Sequence, residues 1–172
     1  MSEGSAALLI RPATADDAEA IRAIICPVIR AEETYALDPA ISEDEALAYW
    51  LAPDKQTFVA EAGGHVLGTY YLRANQAGGG SHVCNCGYMT GAAAAGRGVA
   101  SAMCAHSLDL ARSQGFRAMQ FNFVVSTNTR AVALWERMGF AVVGRLPGAF
   151  RHPSLGYVDA LVMYRSLLNE HA

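Results

Sequence analysis

The spacing of apolar residues switches between a period of two and a period near 3.6 along the chain, and the switches mark out its elements. The run Leu8-Leu9-Ile10-Arg11-Pro12 reads as a first strand closed by proline. Thr14 before Ala15-Asp16-Asp17 opens a helix with acidic residues in its first turn, which should end near Pro27 or Arg30. Ser42 with Glu45 three residues on forms a capping box for a second helix, running to about Leu51 before Pro53. Thr57 to Ala60 and His65 to Arg73 are two strands joined at Gly63-Gly64, a hairpin signal.

After a short Gly-rich loop, Gln76 to Ser81, the second half alternates. It runs strand His82 to Thr90, helix Gly98 to Ser113, strand Arg117 to Val125, helix Thr129 to Met138 and strand Phe140 to Gly144. A long loop containing Pro147 to Pro153 then precedes a last strand, Tyr157 to Tyr164. Such alternation needs crossover connections and some parallel pairing. The expectation is one α/β domain over residues 1–172, a mixed sheet of about seven strands flanked by about four helices. The third helix gathers Val99, Ala100, Met103, Cys104, Ser107, Leu110 and Ala111 on one half of its wheel, the face that should pack on the sheet.

Composition narrows the function classes. With 172 residues, 52% of them hydrophobic, the chain can bury a core of its own. A net charge of −3 gives no general attraction toward nucleic acid, so no nucleic-acid partner is expected. Met1 to Arg11 has no basic region and only a short apolar run, Ala6 to Ile10, so the expectation is a cytoplasmic protein without a membrane partner. Cys26, Cys84, Cys86 and Cys104 form no disulfide framework, and Cys84-Asn85-Cys86 lacks a second Cys or His pair at zinc-like spacing. Reduced, buried thiols and no metal are expected.

Chemistry first shows at Ala95-Gly96-Arg97-Gly98-Val99-Ala100, between a strand and a helix. Small residues there let backbone N–H groups turn toward a phosphate at a helix N-terminus, although two glycines also serve a tight turn. Together with Asn128-Thr129-Arg130-Ala131-Val132-Ala133-Leu134-Trp135-Glu136-Arg137-Met138-Gly139-Phe140, this stretch resembles the two signature motifs of the GNAT superfamily of acetyl-CoA-dependent N-acetyltransferases. The order and spacing also match. Ile10-Arg11-Pro12-Ala13-Thr14 with Asp17 and Ile21 resembles the opening of the phosphinothricin-type branch. His82 to Gly87 and Phe121 to Asn128 are similar to a yeast branch acting on azetidine-2-carboxylate and related proline analogues.

The resemblance implies the GNAT fold and acetyl-CoA as co-substrate. It implies cofactor contacts from Met89, Thr90, Ala95, Gly96, Arg97, Gly98, Val99, Ala100, Ser101, Asn128 and Trp135. Family habit further suggests a homodimer. The strand end Tyr88-Met89-Thr90 should offer backbone hydrogen bonds to the pantetheine arm and the thioester oxygen, where strands four and five part. Three positions depart from the family pattern. Ala95 replaces the usual Gln or Arg, leaving Arg97 as the nearby cation. Trp135 replaces a tyrosine acid, and its indole N–H is no practical proton donor at neutral pH. Cys84 stands where relatives often carry a glutamate base.

Asparagines occupy the neighbourhood instead: Asn85, Asn122 and Asn128. Asn128 is a sound N-cap that can also touch ligand. Asn122, on an apolar strand, should meet either a structural partner or a substrate carboxylate or catalytic water, since an unpaired buried amide costs roughly 1–3 kcal/mol. Asn85 divides between the same two roles. Among the histidines, His106 reads most simply as a helix-surface residue, while Arg151 and His152 could help hold an anionic substrate. Glu33, Thr34 and Tyr35 correspond to the acceptor side of relatives. These residues favour N-acetylation of a small-molecule amine, an amino acid or cyclic imino acid, by direct attack in a ternary complex. The competing readings are acetylation of a protein N-terminus or lysine, and an acyl-CoA-binding module without catalysis.

Overall fold

The computed structural model describes residues 6–168, so the first five residues of the N-terminal stretch lie outside it. In chain order the elements are β1 (Leu9–Pro12), α1 (Ala18–Ala31), α2 (Glu43–Trp50), β2 (Gln56–Ala62), β3 (His65–Ala74) and β4 (Val83–Thr90). They continue with α3 (Val99–Ser113), β5 (Ala118–Val125), α4 (Thr129–Arg137), β6 (Ala141–His152) and β7 (Gly156–Ser166). The strands form one seven-stranded sheet in the order β1-β2-β3-β4-β5-β7-β6. Only β4 and β5 run parallel; the other neighbours are antiparallel.

Each helix lies where its apolar residues can be buried. One core forms under α1 and α2 around Ile21, Ile25, Trp50, Tyr71 and Met89, and the other under α3 and α4 around Met103, Cys104, Phe121, Trp135 and Phe140. Along β4 the two-residue period sends Cys84, Cys86 and Tyr88 toward α3 and α4, and Asn85 and Met89 to the opposite face. A Cβ on Gly68 of β3 would lie 2.9 Å from side-chain atoms of both Val99 and Met103, so the glycine lets the first turns of α3 sit directly on the sheet. Trp50 closes the other face. Its indole N–H donates to Thr69 Oγ1 at 2.9 Å, and that hydroxyl donates to the Phe58 carbonyl at 2.8 Å, so the buried polar atoms are paired.

Several boundaries differ from the sequence reading. Residues Ala15–Asp17 form a 3₁₀ turn before α1, whereas α1 ends at Ala31, beside the later of its two expected ends, and passes through Pro27 because burial of Ile29 outweighs one lost backbone bond. On α3, Leu108 is buried and Leu110 only half-buried. Of the expected loop from Pro147 to Pro153, the part up to His152 is instead the outer half of a long β6 paired with β7, with a register shift between Leu146 and Phe150, and Pro153 to Leu155 form the turn that follows. Proline is tolerated there because β6 is the sheet edge, where a missing N–H costs no ladder bond. No helix among the described residues is long and apolar enough to cross a membrane.

Asp17 ties the first strand to the first helix. Its carboxylate accepts from Arg11 Nη1 at 2.8 Å, from Arg11 Nη2 at 2.9 Å and from the Thr14 N–H at 2.7 Å, while Arg11 also donates to Glu61 on β2. The Arg11 guanidinium, foremost, holds the Asp17 carboxyl down to about 2. A carboxylate with a depressed pKa contributes stability above its unfolded value near 4, lost as pH falls toward 2. Asp17→Asn is therefore expected to lower Tm by about 5 °C at pH 7. Thermal melts between pH 7 and pH 2 should show the gap from wild type closing below about pH 4; a gap that persists at pH 2 would mean the network is not ionic.

Candidate active site

A strand donates and accepts on alternate sides, and that parity locates the open edge of β4. The Val83 carbonyl accepts from Asn75 N–H and the Gly91 N–H donates to Leu67, so the odd residues of β4 face β3. The even residues Cys84, Cys86, Tyr88 and Thr90 face β5. Yet β4 and β5 share only the register pairs Val83↔Ala118 and Cys84↔Met119. Beyond them β5 carries a bulge between Phe121 and Val124, which bends it away and leaves the N–H groups of Tyr88 and Thr90 facing a gap instead of a strand. A cleft of about 770 Å³ runs through this gap from one face of the sheet to the other.

On the α3 and α4 side, the cleft is bordered by the glycine loop. Gly98 adopts φ 70° as the N-cap of α3, and Val99 then enters the right-handed helix, an alternation that turns successive N–H groups toward one point. A Cβ on Gly96 or Gly98 would meet nothing within 4 Å. The first N–H of the helix bonded to its own turn is that of Ala102, which leaves those of Val99, Ala100 and Ser101 free for an anion. Arg130 and Arg137, seven residues apart on α4, line the same side. Backbone donors, a helix N-terminus and two guanidinium groups fit a pyrophosphate.

Trp135 fills the floor. Its ring lies 5.0 Å from Tyr88 and 5.1 Å from Phe121, and it is buried in the core. The Tyr88 hydroxyl is held at 2.7 Å by Ser107 Oγ, and burial drives its phenol well above the ordinary value, so the Tyr88 side chain belongs to the core while its backbone N–H faces the gap. Cys84 and Cys104 are buried, which pushes both thiols up to about 12, and Cys86 is raised well above its ordinary value by the same cause. None is a thiolate near neutral pH.

The opposite, α1 and α2 side is a polar chamber. Tyr35, whose hydroxyl donates to the Tyr88 carbonyl at 3.2 Å, forms one wall, with Thr34 beside it and Tyr49 and Tyr71 behind. Trp50 props both Tyr35 and Tyr71, at ring distances of 6.1 and 4.9 Å. Asn85 donates from Nδ2 to the Gln120 carbonyl at 2.9 Å, which leaves its Oδ1 as the atom able to meet a ligand. Asn122 is exposed to the cleft and is not a buried orphan. It accepts from Gln120 Nε2 at 2.9 Å and donates to Asn75 Oδ1 at 2.6 Å, forming an amide chain from β5 to the residue that follows β3.

Most of the expected residues meet in this cleft: Asn85, Tyr88, Met89, Thr90, Ala95, Gly96, Gly98, Val99, Ala100, Ser101, Asn122, Asn128 and Trp135 all line it, as do Thr34 and Tyr35. Asn128 is also the N-cap of α4, accepting from Ala131 N–H at 3.4 Å. Four expected residues lie elsewhere. Arg97 lines a separate hollow beside Leu8 and Leu67, because the turn that frees the Gly98 amide rotates its neighbour away. Glu33 is exposed outside the cleft. Arg151 and His152 sit at the outer end of the β6–β7 hairpin, where His152 Nδ1 accepts from the N–H groups of Ser154 and Leu155. His106 is no free surface residue: its Nδ1 lies 2.7 Å from the Tyr70 hydroxyl, and burial lowers its pKa. Arg73, Arg130, Arg137, Tyr49 and Tyr71 also line the cleft, unexpected from the sequence. The seven-residue spacing of the two α4 arginines was a readable signal, whereas Arg73 and the tyrosines had none.

Comparison with known proteins agrees with this geometry. The family model described as the acetyltransferase (GNAT) family matches residues 23–140. The N-acetyltransferase aca1 of Schizosaccharomyces pombe is 29% identical over 147 residues, covering 76% of this chain and 70% of that protein. Among solved structures, a GCN5-related N-acetyltransferase from Kribbella flavida has a TM-score of 0.89 and 44% identity, over 93% of this chain and 98% of that one. The phosphinothricin acetyltransferase from Sinorhizobium meliloti in complex with acetyl-CoA shares the fold, with a TM-score of 0.80 and 20% identity, over 92% of this chain and 88% of that one.

Substituting Gly98→Val places a branched side chain at a left-handed φ of 70° as well as in the anion's path. The variant is expected to lose about 1–2 kcal/mol of stability yet still fold, and to lose the rise in Tm that acetyl-CoA gives by mass action. Differential scanning fluorimetry at millimolar acetyl-CoA checks both; an undiminished rise would move the anion site elsewhere. Alanine at Cys84, Cys86 or Cys104 should leave turnover intact, and mass spectrometry of enzyme quenched during turnover should find no acetylated cysteine.

Proposed function

As a member of the acetyltransferase (GNAT) family this chain is an acetyl-CoA-dependent N-acetyltransferase, and we propose that its acceptor is a small-molecule amine bearing an anionic group, an amino acid or cyclic imino acid. The observation that carries this reading is the make-up of the cleft. Its described lining contains Arg73, Arg130, Arg137 and the amides of Asn85, Asn122 and Asn128, but no Asp or Glu. A polyamine or a lysine-rich peptide would find no carboxylate there to neutralise it. With the pantetheine arm occupying the gap, the chamber walled by Tyr35, Tyr49 and Tyr71 leaves space for an acceptor of amino-acid size.

The residues then divide the work. The helix N-terminus and the α4 arginines hold the pyrophosphate, which positions the thioester at the parted strands. The Tyr88 N–H faces the gap, and a preorganised amide aimed at the thioester oxygen stabilises the charge that develops there by about 3 kcal/mol. Asn85 Oδ1 accepts from the acceptor nitrogen and orients its lone pair. The new C–N bond forms as the C–S bond breaks, and sulfur departs as a thiolate. An ordinary thiol pKa of about 8.5 lets it leave without a dedicated acid, consistent with Trp135 at that position. The amine proton passes to water, because amides orient but do not deprotonate. No covalent enzyme intermediate is needed, in keeping with thiols that stay protonated.

Coenzyme A release measured against α-amino acids, cyclic imino acids, polyamines and short peptides tests the reading, with turnover expected for the first two groups. Turnover of peptides alone would replace it with protein acetylation, and acetyl-CoA binding without any turnover would leave a binding module. With a turned-over acid, Asn122→Ala should lower kcat/KM by about 10- to 100-fold while acetyl-CoA affinity stays unchanged. Equal activity of the two proteins would reduce Asn122 to a link in the Gln120–Asn75 chain.

A further inference from the structure

We propose that Arg73 recognises the acceptor's carboxylate and so restricts this enzyme to α-amino and imino acids, an inference that rests on the N-acetyltransferase reading above. Arg73 lies on β3 opposite Asn85 in the β3–β4 register and lines the cleft on the chamber side. It is the only cationic residue in the described lining outside α4, whose Arg130 and Arg137 belong to the pyrophosphate side. Its present partner is weak: Nη1 donates at 3.1 Å to Asp54, whose side chain is 60% exposed. Nε is buried with no hydrogen-bond partner, and Nη2 has none among the described residues either. Those two atoms form one edge of the guanidinium, the edge that pairs a carboxylate through two parallel bonds.

The surroundings favour an anion at that edge. Lys55 Nζ lies 3.8 Å from the ring centroid of Tyr49 and 5.1 Å from that of Tyr71, so a second positive charge stands behind the aromatic wall. Asn122, which lines the same cleft, is anchored by Asn75, two residues after Arg73. An α-amino acid spans the chamber in one orientation, its carboxylate on Arg73 and its nitrogen toward Asn85 and the gap. Turning the guanidinium from Asp54 to the ligand gives up an exposed pair for a paired Nε.

The test compares kcat/KM for the standard α-amino acids and L-azetidine-2-carboxylate with their carboxamides, which keep shape and amine but lose the charge. Wild type should prefer the acids. Arg73→Gln should lower kcat/KM for acids by about 10- to 100-fold and leave the carboxamides within about twofold, with the acetyl-CoA-induced rise in Tm unchanged. Arg73→Lys, which keeps the charge without the fork, should fall between and confine its loss to the acids. Equal use of acids and carboxamides by wild type, or a preference that survives Arg73→Gln, would overturn the assignment while leaving N-acetylation standing. Failure of wild type to turn over any acid or carboxamide while binding acetyl-CoA would remove the amino-acid acceptor and the Arg73 assignment together.

Discussion

The cleft depends on β4 and β5 being parallel neighbours that stay paired for only two residues each. A parallel pair must be joined by a crossover, and here the crossover is the glycine loop and α3, so the helix N-terminus is delivered to the very end of the strand that loses its partner. Had the two strands paired to their ends, the Tyr88 and Thr90 amides would have been consumed by the ladder and the two faces of the sheet sealed from each other. The bulge after Phe121 prevents this, and the aromatic cluster of Tyr88, Phe121 and Trp135 fills the resulting wedge on one side only. On the other side the gap opens onto amides and a guanidinium.

Charge is distributed against the overall balance of the chain. The sequence carries a net −3, yet the described cleft lining carries arginines and no carboxylate. Acidic residues sit elsewhere: Asp17 and Glu61 bind Arg11, Asp44 binds Arg22, and Asp159 binds Arg145. Of the cleft's three arginines, Arg130 and Arg137 meet no carboxylate among the described residues, and Arg73 meets only the exposed Asp54. The polar side chains of the described lining are accordingly amides, hydroxyls and guanidinium groups, with no carboxylate among them.

Chain order was legible because local rules set it. Capping at Ser42 and Asn128, the Gly63-Gly64 hairpin and the alternation of strand and helix after His82 each rest on residues within one turn or one strand, and the helices and strands fall close to where those signals place them. The glycine loop and the asparagine trio were legible for the same reason, with the family resemblance to orient them. The extent of β6 was not: Pro147 and Gly148 read as loop because local propensity cannot register that an edge strand tolerates a missing donor.

What the sequence by itself determined, then, was the order of elements, the glycine turn before α3 and the identity of several polar side chains that line the cleft. What only the tertiary structure decided was which charged residues share the cleft. Arg97, adjacent to the loop in sequence, turns outward because the left-handed Gly98 reverses the chain beside it. Arg151 and His152 are carried away by the β6–β7 hairpin, while Arg73, remote in sequence from Asn122, lines the same cleft because β3 pairs with β4. Side-chain neighbours across a sheet are fixed by strand register and bulges, which are long-range properties of the backbone that no local pattern of residues encodes.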